Sequence, residues 1–367
     1  MANPAADTLP EPEKRSSCLR SLGFAGLSNE PIVLDGVVMR VLSFLLVIAV
    51  IQFILLAQVV HADLTAVDLR TEYRVNPVGI DDVRPRLFWR VTSGERGQKQ
   101  TAYRIIVAST QDGLTQRKGD LWDSGRVASS DTIHVEYAGK ALTSRQQCFW
   151  AVQVWDRGGK ASAWSKPASW SMGLLTEDDW SGSYISYRDD TPVFKDRDSL
   201  FLPSSRYYRK EFTATKKVRR ATVYATALGI YELEVNGHRV GDAYFAPGWT
   251  DYRQRAYYNT YDVTELVGDG ANAIGATVAD GWYSGYVAYG LLVSLGTEKI
   301  GRYTYGKTPA LMAQLELEYE DGSRAVIGTD GSWKVTGNGP IREADLLMGE
   351  SYDARMELSG WSTAGFD

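Results

Sequence analysis

The sequence predicts an all-β protein, two antiparallel β-sandwiches behind an apolar leader. Three observations predict it. Short runs alternate apolar and polar residues, as in Tyr231, Leu233 and Val235 against Glu232 and Glu234, the period of a half-buried strand. Turn signals separate these runs, the strongest being Asn236-Gly237, where two residues that tolerate positive φ announce a hairpin. After the leader no segment holds a helical period over three turns, and no long internal repeat is present.

The chain has 367 residues, enough for two domains with a sizeable core in each. Its 44% hydrophobic and 23% charged content is that of a globular protein. A net charge of −5 without a basic run argues against nucleic acid as a partner. The 21 Tyr and 11 Trp suit a β-rich, carbohydrate-handling chain and equally any all-β core.

Residues 41–60 form an apolar run broken only by Ser43, Gln52 and Gln58. It is long enough to span a bilayer. Val60 and Ala62 take the minus-three and minus-one places of a signal-peptidase site, so cleavage before Asp63 is expected. Residues 1–38 are polar and lack a packing pattern, whereas Met39-Arg40 opens an ordinary signal peptide, so translation is expected to begin at Met39. The alternative is an uncleaved anchor. Either way the chain is exported, to the periplasm, the cell surface or beyond, and meets a membrane only through this leader. With the leader and its Cys18 gone, Cys148 has no intrachain partner and reads as a small buried hydrophobe. His61, His134 and His238 show no metal-ligand spacing.

Residues 64–175 carry strand signals at Leu87-Phe88-Trp89-Arg90-Val91, at residues 102–107 and at residues 149–155. A last strand is expected to open at Trp164-Ser165. This spacing predicts a small immunoglobulin- or fibronectin III-like sandwich. Glu177-Asp178-Asp179 is a one-turn junction, and residues 186–204 read as an irregular polar loop. Residues 180–350 predict a larger sandwich, a jelly roll by strand count. In it Leu315, Leu317 and Tyr319 alternate with Glu316, Glu318 and Glu320, and Asp262 or Thr264 caps a single turn. Residues 351–367 read as the start of a further domain.

Two stretches carry candidate chemistry. Pro247-Gly248 breaks a strand and presents Trp249, Thr250, Asp251 and Tyr252 on a loop. Ala279-Asp280-Gly281-Trp282-Tyr283-Ser284-Gly285 is a second loop. An indole stacks on the C–H face of a sugar while acids and amides accept bonds from its rim. The candidate carbohydrate-binding residues are Trp249, Asp251, Asn236, Asp280, Trp282 and Tyr283. The plainer reading makes both indoles plugs at the end of the sandwich. Glu232 and Glu234 are assigned to a solvent face rather than to catalysis.

Six motifs in this order resemble the N-terminal half of bacterial α-L-rhamnosidases. They are Tyr208-Arg209-Lys210-Glu211-Phe212, Asn236-Gly237-His238-Arg239-Val240-Gly241-Asp242, Pro247-Gly248-Trp249-Thr250-Asp251-Tyr252, Thr260-Tyr261-Asp262-Val263-Thr264, Asp280-Gly281-Trp282-Tyr283 and Gly349-Glu350-Ser351-Tyr352-Asp353-Ala354-Arg355. The resemblance covers nearly everything after the leader. It implies a galactose-binding-like second sandwich, rhamnose-containing carbohydrate as partner, and a catalytic (α/α)₆ barrel downstream that is not in this chain. The family's inverting acid and base belong to that barrel, so no catalytic residue is carried over and the chain alone is expected to be inactive. Some modules of this kind hold rhamnose with calcium. The oxygen donors to weigh for calcium are Asp251, Asp280, Glu234 and Asn236. Two readings stay open: the non-catalytic front of an exported rhamnosidase, and a free-standing carbohydrate-binding or adhesion protein.

Overall fold

The computed structural model describes residues 64–187, 202–287 and 301–367. The expectations for the leader, Cys18, His61 and most of the 186–204 loop lie outside these residues.

The first sandwich is built from β1 (Thr65–Thr71), β2 (Arg86–Thr92), β3 (Ala102–Ala108), the short helix α1 (Gln111–Thr115), β4 (Trp122–Asp123), β5 (Val135–Glu136), β6 (Gln147–Trp155) and β7 (Ala168–Ser171). One sheet runs β1-β2-β5 and the other β4-β3-β6-β7, with antiparallel pairing throughout. Alternation turns Trp150, Val152 and Val154 of β6 inward, where they meet Trp89 and Trp170 in one core. Cys148 lies in the same core, and burial pushes its thiol up to about 12. It is the small hydrophobe expected.

The last strand starts at Ala168, later than the expected Trp164-Ser165. Ser162 and Ser165 instead close short loops onto β6. Their hydroxyls accept from Val154 N and Val152 N at 3.1 Å each, in place of ladder carbonyls. Pro167 has no N–H to extend a ladder backward. Trp164 lies under the Arg117 guanidinium, 4.8 Å from the ring centroid.

The second sandwich comprises β8 (Ile185–Ser186), β9 (Arg206–Ala214), β10 (Val218–Leu228), β11 (Ile230–Val235), β12 (His238–Arg239), β13 (Asn259–Asp262), β14 (Gly270–Ala279), the one-turn helix α2 (Gly281–Ser284), β15 (Ala310–Tyr319), β16 (Arg324–Gly328) and β17 (Lys334–Thr336). A hairpin of β18 (Ile341–Asp345) and β19 (Gly349–Tyr352) follows. One sheet is β13-β10-β15-β16, with β8 also on β15; the other is β12-β11-β14-β9-β17. Tyr231, Leu233 and Val235 point inward against Leu315, Leu317 and Tyr319. Each such leucine contributes about 1.5–3 kcal/mol by leaving water. The hairpin turn is as expected, with φ of 50° at Asn236 and 80° at Gly237. The expected single turn is present at Thr264–Leu266, but its N-cap is Val263, with no side-chain cap; Asp262 Oδ1 accepts from Thr264 N at 3.0 Å just ahead of it.

The two sandwiches meet on the outer face of the first of these sheets. Arg145 donates from Nε to Glu316 at 2.7 Å and from Nη1 to Asp179 at 2.6 Å. The Tyr258 hydroxyl accepts from Leu174 N at 2.9 Å and donates to Leu174 O at 3.2 Å. Burial pushes the Asp179 carboxyl up, but bonds from Ser144, Arg145 and Thr176 outweigh this and hold it well below the usual carboxylate range.

The outer face of the other sheet is partly covered by the last residues, the stretch expected to open a further domain. Arg209 donates to the carbonyls of Trp361 at 2.7 Å, Thr363 at 3.0 Å and Phe366 at 3.3 Å. Trp361 lies edge-on to Tyr207 with centroids 5.4 Å apart. It crosses β14 at Gly275, where a Cβ would stand 2.6 Å from the indole, so only glycine admits this approach.

Candidate functional site

The uncovered part of that outer face is a cleft of about 450 Å³. Its floor is the outward-pointing set of β11 and β14, Ile230, Glu232, Thr277 and Ala279. Tyr244 and Phe245 stand on one side, and Glu350 and Tyr352 of the β19 edge on the other. The Tyr244 side is set by the loop after β12. Tyr231 N donates to Ala246 O at 2.8 Å and pins that loop to β11. Phe245 takes a left-handed φ of 57°, which turns the chain and throws its aromatic residues outward. Tyr244, Phe245 and Trp249 are 73%, 55% and 51% exposed. Arg239 donates to Glu232 at 3.2 Å and lies 4.7 Å over the Tyr244 ring, so it joins floor to wall.

The second loop arrives at the same end through Gly281. Its φ is +51°, and a Cβ there would lie 2.7 Å from the Ile230 side chain, so the turn from β14 into α2 requires glycine. That turn places Trp282 parallel to Trp249, with planes 5° apart and centroids 6.4 Å apart. Phe245 meets Trp282 at 67° and 6.1 Å. Phe245 therefore belongs both to the cleft and to an aromatic row that continues beyond it. Tyr283 turns the other way, edge-on to Tyr252 at 5.4 Å, and burial raises its hydroxyl pKa.

The polar candidates are placed differently. Asp280 is buried beneath α2, where Arg206 Nη1 donates to one oxygen at 2.8 Å and Arg302 Nη2 to the other. It anchors the turn that carries Trp282. Asn236 follows the far end of β11, six residues from Ile230 and so roughly 20 Å away along the strand. Its amide is spent on the hairpin: Oδ1 accepts from Ala273 N at 2.8 Å, and Nδ2 donates to Leu266 O at 2.9 Å and Asn272 Oδ1 at 2.7 Å. Asp251 lies on the Trp249 loop, where the Arg253 guanidinium at 3.0 Å holds its carboxyl below the usual range. The structure thus brings together Trp249, Trp282 and their loops, while Asn236 lies elsewhere.

The four oxygen donors weighed for calcium share no cage. Asp280 and Asn236 are engaged as described and lie at opposite ends of the sheet, and Glu234 accepts the Ser362 hydroxyl. Among the described residues no three His, Cys, Asp or Glu gather in a metal-binding arrangement.

Sequence reasoning missed Tyr244, Phe245, Glu350 and Tyr352. Tyr244-Phe245 stood two places before Pro247-Gly248, and an adjacent aromatic pair between a Gly-Asp and a Pro-Gly turn was the available signal. Glu232 is on the solvent face it was assigned to, which is also the floor of the cleft.

Two family models match. Residues 66–176 fit a Rha78A-like N-terminal immunoglobulin domain, and residues 216–367 fit an α-L-rhamnosidase N-terminal domain. An α-L-rhamnosidase of Formosa agariphila is 38% identical over 293 residues, 80% of this chain and 30% of that protein. One from Alteromonas sp. strain LOR is 39% identical, over 80% of this chain and 31% of its own length. Among solved structures, an α-L-rhamnosidase from Dictyoglumus thermophilum superposes with a TM-score of 0.71 at 35% identity, covering 83% of this chain and 33% of that one. The Streptomyces avermitilis α-L-rhamnosidase, solved with L-rhamnose, gives 0.73 at 30% identity, covering 83% and 44%. The chain spans about a third of the length of the curated relatives it matches.

Proposed function

Because the chain belongs to the α-L-rhamnosidase family through these two N-terminal domains, we propose that it is the carbohydrate-holding, non-catalytic front of such an enzyme. In this reading it binds rhamnose-containing polysaccharide in the cleft and along the aromatic row. The observation that carries the reading is Phe245, which is shared by the cleft and the Trp282–Trp249 pair. A methyl-bearing sugar offers its apolar face to such rings and its hydroxyls to Glu232, Thr277 and Glu350. Two acids of this region have structural partners already: Glu232 has Arg239, and Asp280 has two arginines.

Calorimetric titration of L-rhamnose and of a rhamnose-ended oligosaccharide into the chain and its Phe245→Ala variant tests this. Binding that weakens in the folded variant supports the reading. A parent that binds neither sugar would leave the exposed rings as a surface for protein contact. Export through the 41–60 run is part of the same proposal. N-terminal sequencing of protein recovered from an expressing bacterium checks it, with Asp63 the expected first residue.

A further inference from the structure

We infer that the groove between the two sandwiches binds a stretch of carbohydrate bearing carboxylate or sulfate groups. The groove shares no lining residue with the cleft that carries Phe245. It opens as a recess of about 750 Å³. A second recess of about 240 Å³ continues it and shares Gln147, Phe149 and Arg220 with it. That is room for several sugar units in a row.

Its charge comes from strand register. Arg220 on β10 and Arg324 on β16 are the cross-strand partners of Glu318 on β15. Arg219 bonds the same carboxylate, with Arg220 at 3.2 Å and Arg324 at 3.7 Å. Three guanidinium groups thus converge on one carboxylate, in a chain whose net charge is −5. The other charged groups are Asp112 and Arg145 on the first recess, where Arg145 is matched by Asp179 and Glu316, and Asp262 on the second, whose carboxylate accepts from Thr264. Like charges held this close raise the local potential and favour an arriving anion.

The Arg219 and Arg324 side chains are 57% and 56% exposed, so both forks reach solvent. A guanidinium fork matches the two oxygens of a carboxylate or sulfate. The facing wall, from the first sandwich, presents Thr110, Gln146 and Gln147, donors and acceptors for sugar hydroxyls, and Phe149 gives an apolar floor. A surface made only to hold two domains together would not leave that wall open.

The test titrates the whole chain, at low ionic strength, with tetragalacturonate, a sulfated tetrasaccharide, a neutral rhamnose tetrasaccharide and a single-stranded oligonucleotide. The two anionic saccharides are expected to bind in a salt-sensitive way; their ratio tells carboxylate from sulfate. The Arg219→Gln/Arg324→Gln double variant should bind them about tenfold more weakly, and Arg324→Gln alone, on an edge strand, severalfold more weakly. Glu318→Gln, which removes the competing carboxylate, should bind them more tightly; a purely structural ion pair predicts no such gain. Trp249→Ala should bind them as the parent does, even though it binds rhamnose more weakly. The inference is overturned if neither anionic saccharide binds, if the folded arginine variants bind as the parent does, or if the oligonucleotide binds more tightly than both saccharides.

Discussion

The two sandwiches use the same residue for opposite purposes. In the first, Trp89, Trp150 and Trp170 sit in strands and are closed into the core. In the second, Trp249 and Trp282 sit on a loop and on a one-turn helix, and Trp249 keeps half of its surface in water. The difference lies in the backbone that carries the ring. A strand in a two-layer sandwich sends every second side chain inward, and these three indoles stand at inward positions. A segment bounded by Gly and Pro, after a left-handed residue such as Phe245, leaves the layer altogether. The position of an indole relative to its turn residues thus says more about its role than the number of indoles does.

Removing a core ring should have the largest effect. Trp150→Ala is expected to cost about 3–5 kcal/mol. Thermal melts followed by circular dichroism should show the loss, and a parent-like melt would put Trp150 outside the core. Next comes the buried acid under the surface pair. Asp280→Asn leaves Arg206 and Arg302 facing a neutral amide, at a cost of about 3 kcal/mol. It should also loosen Trp282, so rhamnose binding should weaken together with stability.

The exposed ring should reverse that pattern. Trp249→Ala is expected to weaken rhamnose binding by about 1–3 kcal/mol, roughly 5- to 150-fold, while changing stability by no more than about 0.5 kcal/mol. A fall in melting temperature with unchanged affinity would return Trp249 to the status of a plug.

The junction between the two regions should answer to acid. The folded pKa of Asp179 is depressed, so its contribution is fully present above the unfolded value of about 4 and is lost as pH falls toward the folded value. Asp179→Asn should flatten the acid limb of the stability–pH curve; an unchanged limb would show that other groups govern it. The smallest expected effect is none at all: the purified chain should release no nitrophenol from an aryl rhamnoside above the buffer blank.

Much of this architecture was legible because it is local. The alternation in β6, β11 and β15, the Asn236-Gly237 turn and the Asp262 turn are all set by neighbours within a few residues. The false start of the last strand at Trp164-Ser165 came from reading β-like composition without Pro167. The role of Asp280 was illegible, since its partners are 74 and 22 residues away. Asn236 was legible as a turn residue but not as one whose side chain is consumed by Asn272 and Ala273. The pairing of Trp249 with Trp282 needed both loops placed at one end of the sheet, which no local pattern states.

The fork at Arg145 also has a consequence in time. Its partner Glu316 lies 171 residues further along the chain, in the middle of β15, and β15 takes its own place by pairing with β10 and β16. A chain emerging from its N-terminus can therefore assemble the first sandwich long before its anchor exists. The Arg145–Glu316 part of the joint closes only after β15 has been made, and the groove also waits for Arg324 of β16, so it forms late.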